Sequence, residues 1–393
     1  MHWRFHAVLL AGIVMTLLAG GCSTTPDIDP PATLTPLKSA TPVRLLWSQN
    51  LWARLTGHDV RFTPLLQGDT LFVADSKGDV VCLNARTGRI IWEVKANARL
   101  ASGPTSLNTE AGDKLLLFGT HDAEVLALRM DDGAVAWRST VSSEVLAPPL
   151  ATEYGIAVRT IDDRLFMLDA VTGQRKWAHS QNNIPLLTLR GTSAPLLVGE
   201  SIVVGFANGM LGAYNVRDGA PAWEARVGTP QGRSELEQMV DVDADPVLFD
   251  GVIYAVSFQG RLVAVEQSSG RVLWSREMSA YADFAVDQDK IYITDARSHV
   301  WALERKTGAA MWKQDNLHGR GVTAPVLYGD FLVVVDGQGY VHWLARDDGR
   351  FVARYELSHE SGDILRGIAP VVNNDIAYVR GNQGTLEALQ LRK

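Results

Sequence analysis

Apolar and polar residues alternate along most of this chain in short runs, and nearly every run stops at a glycine, an aspartate or an asparagine. In residues 62–94 the runs are Phe62–Leu66, Asp69–Ala74, Val80–Asn84 and Arg89–Val94, punctuated at Gly68, Lys77-Gly78-Asp79 and Thr87-Gly88. Alternation with period two, bounded by turn residues, predicts β-strands. Glycine accepts the positive φ of a tight turn, and aspartate caps its own backbone there. Helical spacing is confined to one short stretch, Ser234–Val240.

One frame within this pattern recurs. A strand enters a polar turn that closes on a glycine, and a tryptophan follows four residues later: Gly88/Trp92, Gly133/Trp137, Gly173/Trp177, Gly219/Trp223, Gly270/Trp274 and Gly308/Trp312. A seventh copy at Gly349 carries Ala353 in place of tryptophan, and the intervals are 45, 40, 46, 51, 38 and 41 residues. Four strands per period of about 40 residues make the blade of a β-propeller. After Gly349 the chain supplies three more strands, Ile368–Val372, Ile376–Arg380 and Thr385–Leu391, and then stops. The missing fourth lies at the other end, in Val43–Ser48 with Trp47. The expected fold is therefore all-β: an eight-bladed propeller of four-stranded antiparallel blades over residues 42–393. Its ring is closed by the N-terminal strand, which leaves no open sheet edge at the join. The tryptophans are expected to be structural, each burying apolar surface between blades while its indole N–H finds a carbonyl.

Composition adds limits. Net charge is −7 over 393 residues, which excludes phosphate-backbone binding that depends on a basic face, so no nucleic-acid partner is expected. There are two cysteines, Cys22 and Cys82; Cys82 lies mid-strand and reads as a small buried hydrophobe. Residues 1–21 carry Arg4, then an apolar run from Ala7 to Leu18 that is too short to span a bilayer and fits the core of a signal peptide. The run ends Leu18-Ala19-Gly20-Gly21-Cys22, which resembles a bacterial lipoprotein box although alanine stands where leucine is usual. The resemblance implies lipidation of Cys22. Ser23, rather than aspartate, after it implies the periplasmic face of the outer membrane. Ser23 to Thr41 is rich in Pro, Thr and Ser and reads as a flexible linker, so that contact with the membrane is through the lipid only.

No catalytic constellation stands out. The histidines beyond the signal are scattered without metal-ligand spacing, and there is neither a Gly-x-Ser-x-Gly elbow nor a phosphate-binding glycine loop. Acid pairs such as Asp131-Asp132 and Asp347-Asp348 sit in the glycine turns and read as turn formers. The repeat is similar to that of pyrroloquinoline-quinone dehydrogenases, whose propellers are also eight-bladed. Those enzymes are usually much longer and commonly place adjacent cysteines over the cofactor; no two cysteines are adjacent here. A non-enzymatic chain without cofactor or metal is therefore expected, with a quinone dehydrogenase-like propeller as the alternative.

The regularity fails in one place. The consecutive intervals of 46 and 51 residues add chain in Ala178–Ser193 and Arg226–Asp245. Connections between blades share one face of a propeller, so these insertions should form one raised patch. The first contains Ile184-Pro185-Leu186-Leu187-Thr188-Leu189-Arg190-Gly191, and the second contains Glu235, Glu237, Asp241, Asp243 and Asp245. Leucines beside acids outside the blade pattern read as a protein interface. For Arg190 a blade role stands level with an interface role, because Arg320-Gly321 and Arg366-Gly367 echo Arg190-Gly191 ahead of an Ala-Pro.

Leu-x-Leu-Arg-Gly at Leu187–Gly191, with Asp-Val-Asp at Asp241–Asp243, resembles the BamB family, the lipoprotein subunit of the outer-membrane β-barrel assembly (BAM) machinery. The likeness extends over essentially the whole chain, including Ala324-Pro325-Val326-Leu327-Tyr328 and Gly339-Tyr340-Val341-His342-Trp343. It implies a scaffold that binds the periplasmic POTRA region of BamA through Leu187, Leu189, Arg190, Asp241 and Asp243. It also implies help in the assembly of barrel proteins, with unfolded outer-membrane proteins as further partners. Purified protein incubated with pyrroloquinoline quinone and calcium is expected to acquire no stoichiometric chromophore and no dye-linked alcohol oxidation; either would favour the dehydrogenase alternative.

Overall fold

Each glycine of the repeat touches the tryptophan of the preceding blade, not of its own. A Cβ built on Gly219 would stand 2.6 Å from the Trp177 ring, on Gly270 2.6 Å from Trp223, on Gly349 2.5 Å from Trp312, and on Gly88 2.7 Å from Trp47. These glycines also hold φ near +70°, where a side chain is strained. At five seams the indole N–H completes the clasp by donating to a carbonyl of the next blade: Trp47 to Ala85 (2.9 Å), Trp92 to Met130 (2.9 Å), Trp177 to Val216 (3.1 Å), Trp223 to Gln267 (3.0 Å) and Trp312 to Arg346 (3.0 Å). Trp137 departs from the expectation, its buried Nε1 having no partner among the described residues. The 40-residue repeat is thus a lock and its keeper, displaced by one blade.

This computed structural model describes residues 29–51, 61–109, 112–181, 187–189, 191–358, 368–381 and 384–392. The signal segment, Cys22 and Arg190 lie outside them. Ala32–Lys393 form one compact unit and Met1–Pro31 another. The larger unit is an eight-bladed β-propeller of four-stranded antiparallel sheets. Blade 1 spans residues 65–95, blade 2 100–140, blade 3 150–180, blade 4 196–226, blade 5 247–277, blade 6 284–314 and blade 7 326–356. Blade 8 takes Val371–Asn373, Ile376–Arg380 and Thr385–Leu391 from the C-terminal end, and Val43–Asn50 as its outer strand. Trp47 sits opposite Ala388 across that join, as expected.

The innermost strands are shorter than the apolar runs suggest. Blade 1 starts at Leu65 and blade 8 at Val371, because Pro64 and Pro370 lack the N–H that would extend the ladder. Prolines stand directly before the innermost strand again at Pro149, Pro195, Pro246 and Pro325, whereas Pro104 lies within the longer strand Leu100–Asn108 of blade 2. All of these prolines except Pro246 help to line a central cavity of about 730 Å³. Among the described residues no stretch is helical: Ser234–Val240 holds one turn, in which Ser234 Oγ accepts from the Glu237 amide (3.3 Å) and Glu237 Oε2 from that of Ser234 (3.0 Å), a reciprocal cap on a helix that goes no further.

The missing tryptophan of blade 7 has an account. In other blades the tryptophan faces a smaller residue across the outer ladder: Cys82, Ala127, Met167, Ala213, Ala264 and Ala302. In blade 7 the pair is exchanged, with Trp343 opposite Ala353, and both are fully buried. Blade 8 draws its last two strands from opposite chain ends, so it has no glycine turn to receive a tryptophan from blade 7. Cys82 is the free, buried small residue expected of it.

Residues 32–41 depart from the flexible linker expected of them. The Ala32 amide donates to His318 O (2.8 Å), the Thr41 amide to Val352 O (2.9 Å), and Leu34 packs on the apolar core between blades 6 and 7.

Gly270→Ala is expected to lower the unfolding free energy by about 2–4 kcal/mol, combining left-handed strain with overpacking against Trp223. Gly251→Ala shares the positive φ but has open space around it, and should lose only the strain part, about 1 kcal/mol. In Trp223→Ala the clash partner is gone, so the double variant with Gly270→Ala should lose less than the sum. Urea denaturation of the four variants checks this.

Candidate partner-binding site

Strands alternate in direction, so every connection from an outer strand to the next inner strand emerges on one face. The insertions 181–195 and 227–246 are two such connections, flanking blade 4. The second is knitted to both neighbouring blades: the Val242 amide donates to Phe206 O (3.2 Å) and the Phe258 amide to Asp241 O (2.9 Å). Side chains from this loop then reach the first. The Leu189 amide donates to Asp241 Oδ1 (3.1 Å), and the Ala194 amide to Asp245 Oδ1 (2.6 Å). Gly191 lies so close that a Cβ there would stand 2.4 Å from Asp243 Cγ. The expected single patch exists, and its joint is carboxylate against backbone amide.

The roles within it differ from a surface of leucines beside solvated acids. Leu187 is 47% exposed and Leu189 half-buried, whereas Asp241 and Asp243 are 0% and 3% exposed. The carboxylates lie beneath the leucine loop and clasp it. Burial, reinforced by the neighbouring Asp243 carboxylate, pushes the Asp241 pKa up to about 7. Asp241 Oδ2 has no hydrogen-bond partner among the described residues, an uncommon state for a buried carboxylate. Ile184, Pro185, Leu186 and Arg190 fall outside the described residues.

Two features here escaped the sequence pattern. Leu236 is 62% exposed at the tip of the capped turn, a second bare leucine on the second insertion. Its signal was available: a lone apolar residue in the polar run Ser234-Glu235-Leu236-Glu237-Gln238. The other is Arg61, ahead of blade 1. It donates to Asp245 Oδ1 (2.5 Å), Asp243 O (2.8 Å) and Asp283 Oδ1 (3.3 Å), crossing the mouth of the central cavity to hold the base of the second insertion. Burial alone would lower its pKa, but Asp245, Asp283 and Asp243 raise it well above the usual arginine value, so it stays charged. Arg61 belongs to no repeat, and nothing in its local sequence marks it.

Among the described residues no cluster of three or more His, Cys, Asp or Glu is arranged to hold a metal. The class is an eight-bladed propeller of quinoprotein-type repeats whose one irregular face carries a clasped loop pair. A family model described as outer membrane protein assembly factor BamB matches residues 41–111 and 107–314. Outer membrane protein assembly factor BamB of Alkalilimnicola ehrlichii is 38% identical over 99% of this chain and 97% of its own length. That of Yersinia pestis is 34% identical over 98% and 99%, and that of Escherichia coli 33% over 98% and 99%. The chain belongs to the BamB family, whose members are named as assembly factors and not as enzymes. The crystal structure of BamB from Moraxella catarrhalis superposes with a TM-score of 0.77 at 27% identity, covering 89% of this chain and all of that one. A quinohemoprotein alcohol dehydrogenase from Comamonas testosteroni superposes at 0.68 with 12% identity, covering 89% and 76%, and shares the fold alone.

A carboxyl group whose folded pKa lies above its unfolded value of about 4 binds its proton more tightly when folded. Its contribution to stability therefore falls as pH rises from about 4 to about 7, and stays low above that. Asp241→Asn removes the ionisation, and is expected to flatten this slope and to stabilise the protein at pH 8 by on the order of 3 kcal/mol. Urea melts of both proteins between pH 5 and 8 measure it.

Proposed function

We propose that this chain is the lipid-anchored propeller subunit of the BAM machinery, held at the periplasmic face of the outer membrane through Cys22. There it binds the POTRA region of BamA with the loop pair Leu187–Gly191 and Asp241–Asp243. Leu187 supplies exposed apolar surface, with Leu189 beside it, and Arg190 the charge. Asp241 and Asp243 act from beneath, holding the leucine loop rather than touching the partner.

The observation that carries this reading is the clasp itself. The leucine loop has little regular structure of its own, yet Asp241 takes the Leu189 amide and Asp243 lies against Gly191. A loop held in its binding conformation forfeits less entropy on association than a free one. Leu187 and Leu236, exposed on adjacent insertions, offer apolar surface, with Glu235 and Glu237 exposed on either side of Leu236, a composition suited to a protein interface. Family membership supplies the assignment to outer-membrane protein assembly, the purpose in the names of the relatives.

Leu187→Ala is expected to weaken binding to the isolated BamA POTRA region about thirtyfold, roughly 2 kcal/mol, with no change in melting temperature. Asp243→Ala should weaken it comparably while speeding hydrogen exchange at the Leu189 amide, since it acts through the loop. Calorimetric titration with exchange mass spectrometry reads both. Unchanged affinity in both variants removes this assignment of the site.

A further inference from the structure

Away from the partner loops, the seam between blades 6 and 7 is already occupied. Residues 32–41 lie along it in extended form, and the contacts are those by which a groove takes a peptide. At one end the Ala32 amide donates to His318 O (2.8 Å), and Ala32 O accepts from Arg320 Nη1 (3.0 Å). In the middle Thr35 O accepts from Arg354 Nη1 (2.8 Å). At the other end the Thr41 amide donates to Val352 O (2.9 Å). Leu34 enters an apolar slot in the core that contains Leu317, Val322 and Phe351. Backbone polar groups are thus met at three places and a side chain at one.

The two arginines are built in for this. Arg320 Nε (2.7 Å) and His342 Nε2 (2.9 Å) both donate to Asp336 Oδ2, and Arg354 Nε donates to His342 Nδ1 (3.3 Å). An arginine Nε can only donate and a carboxylate here accepts, so His342 is the neutral imidazole protonated at Nε2. Burial, together with the Arg354 and Arg320 charges, lowers its pKa in keeping with that. Asp336 and His342 are 1% and 0% exposed. A buried pair thus aims two guanidinium groups at two carbonyls of the strap.

His318 lies on the connection from blade 6 to blade 7, on the same face as the partner loops. Val352 lies near the opposite end of the outer strand Phe351–Glu356. The strap therefore starts on the partner face, descends along blade 7 and turns into Val43–Asn50.

We propose that the blade 6–7 seam is a receptor groove for an extended peptide, that its resident is the chain's own segment Ala32–Thr41, and that docking there makes the N-terminal tether depart from the partner face. The first two clauses stand on the contacts alone; the third also rests on the lipid-anchor reading. Docking fixes the point of departure at Ala32, at one place on the rim two blades from the second partner loop.

The test uses purified full-length protein in detergent micelles and then in vesicles of phosphatidylethanolamine and phosphatidylglycerol. In micelles the Ala32 and Thr41 amides are expected to exchange at least tenfold more slowly than a free chain. Leu34→Asp with Arg354→Gln should remove that protection while the Val333 and Val341 amides of blade 7 keep theirs. Free-chain exchange in the unsubstituted protein overturns the groove, as does loss of blade 7 protection in step with the strap. Protection that rises with protein concentration overturns the choice of resident, since a second copy's strap would then fill it. On vesicles, energy transfer from a dye at Asn316 to labelled lipid should be stronger than from a dye at Val171 on the opposite face, and the double variant should abolish the difference. Equal transfer from both positions, or failure to bind vesicles, overturns the departure clause and leaves the groove standing on the exchange data.

Discussion

The molecule depends on a contact between one tryptophan ring and a glycine one blade further on. Neither partner works alone. A side chain on the glycine would occupy the ring's place, and without the ring the seam would lose its main apolar filling and an indole-to-carbonyl hydrogen bond. Because the partners sit in different blades, each blade is incomplete until its neighbour is present. Stability then spreads around the ring as nearest-neighbour terms, as in other repeat proteins, and closure through Trp47 and Ala85 supplies the last of them.

Where that contact cannot be made, the sequence changes in step. Blade 8 is assembled from both chain ends and has no glycine turn, and the blade before it lacks the outer tryptophan. Trp343 and Ala353 carry the same two sizes in exchanged places, so the core of blade 7 is filled from the adjacent strand. The same region receives the strap from Ala32 to Thr41. The closing blade and its neighbour are thus where the N-terminal segment is fastened.

The fold was legible because its causes are local and repeated. Strand alternation, turn glycines and the frame of Gly88 and Trp92 occur often enough to count, and blade closure follows from which strands are left over. What stayed hidden depends on single residues acting across long distances in sequence. Arg61 holds Asp245 from 184 positions away, and Arg320 holds Ala32 from 288. Neither has a period. The loop motifs fall where two insertions meet, but their chemistry was only half readable. Leu187 is exposed as its type and context suggest, whereas Asp241 and Asp243 look like surface acids and are buried. Only the packing of two insertions against each other distinguishes the cases. The strap's sequence has the pattern of a linker, because its Pro, Thr and Ser have no apolar rhythm. Yet an extended peptide in a groove needs none, only carbonyls and amides met by fixed partners.

Division of labour follows from this geometry. The repeated contacts make a stiff ring, and the interruption at blade 4 places a clasped leucine loop on one face of it. The most direct test of that assignment is photo-crosslinking in living cells from two positions on opposite faces of the ring. Leu187 stands on the partner face, and Val171, 57% exposed, on the glycine-turn face of blade 3. A benzophenone at Leu187 should capture BamA and one at Val171 should not; capture of BamA from Val171 alone would place the partner on the regular face and contradict the account.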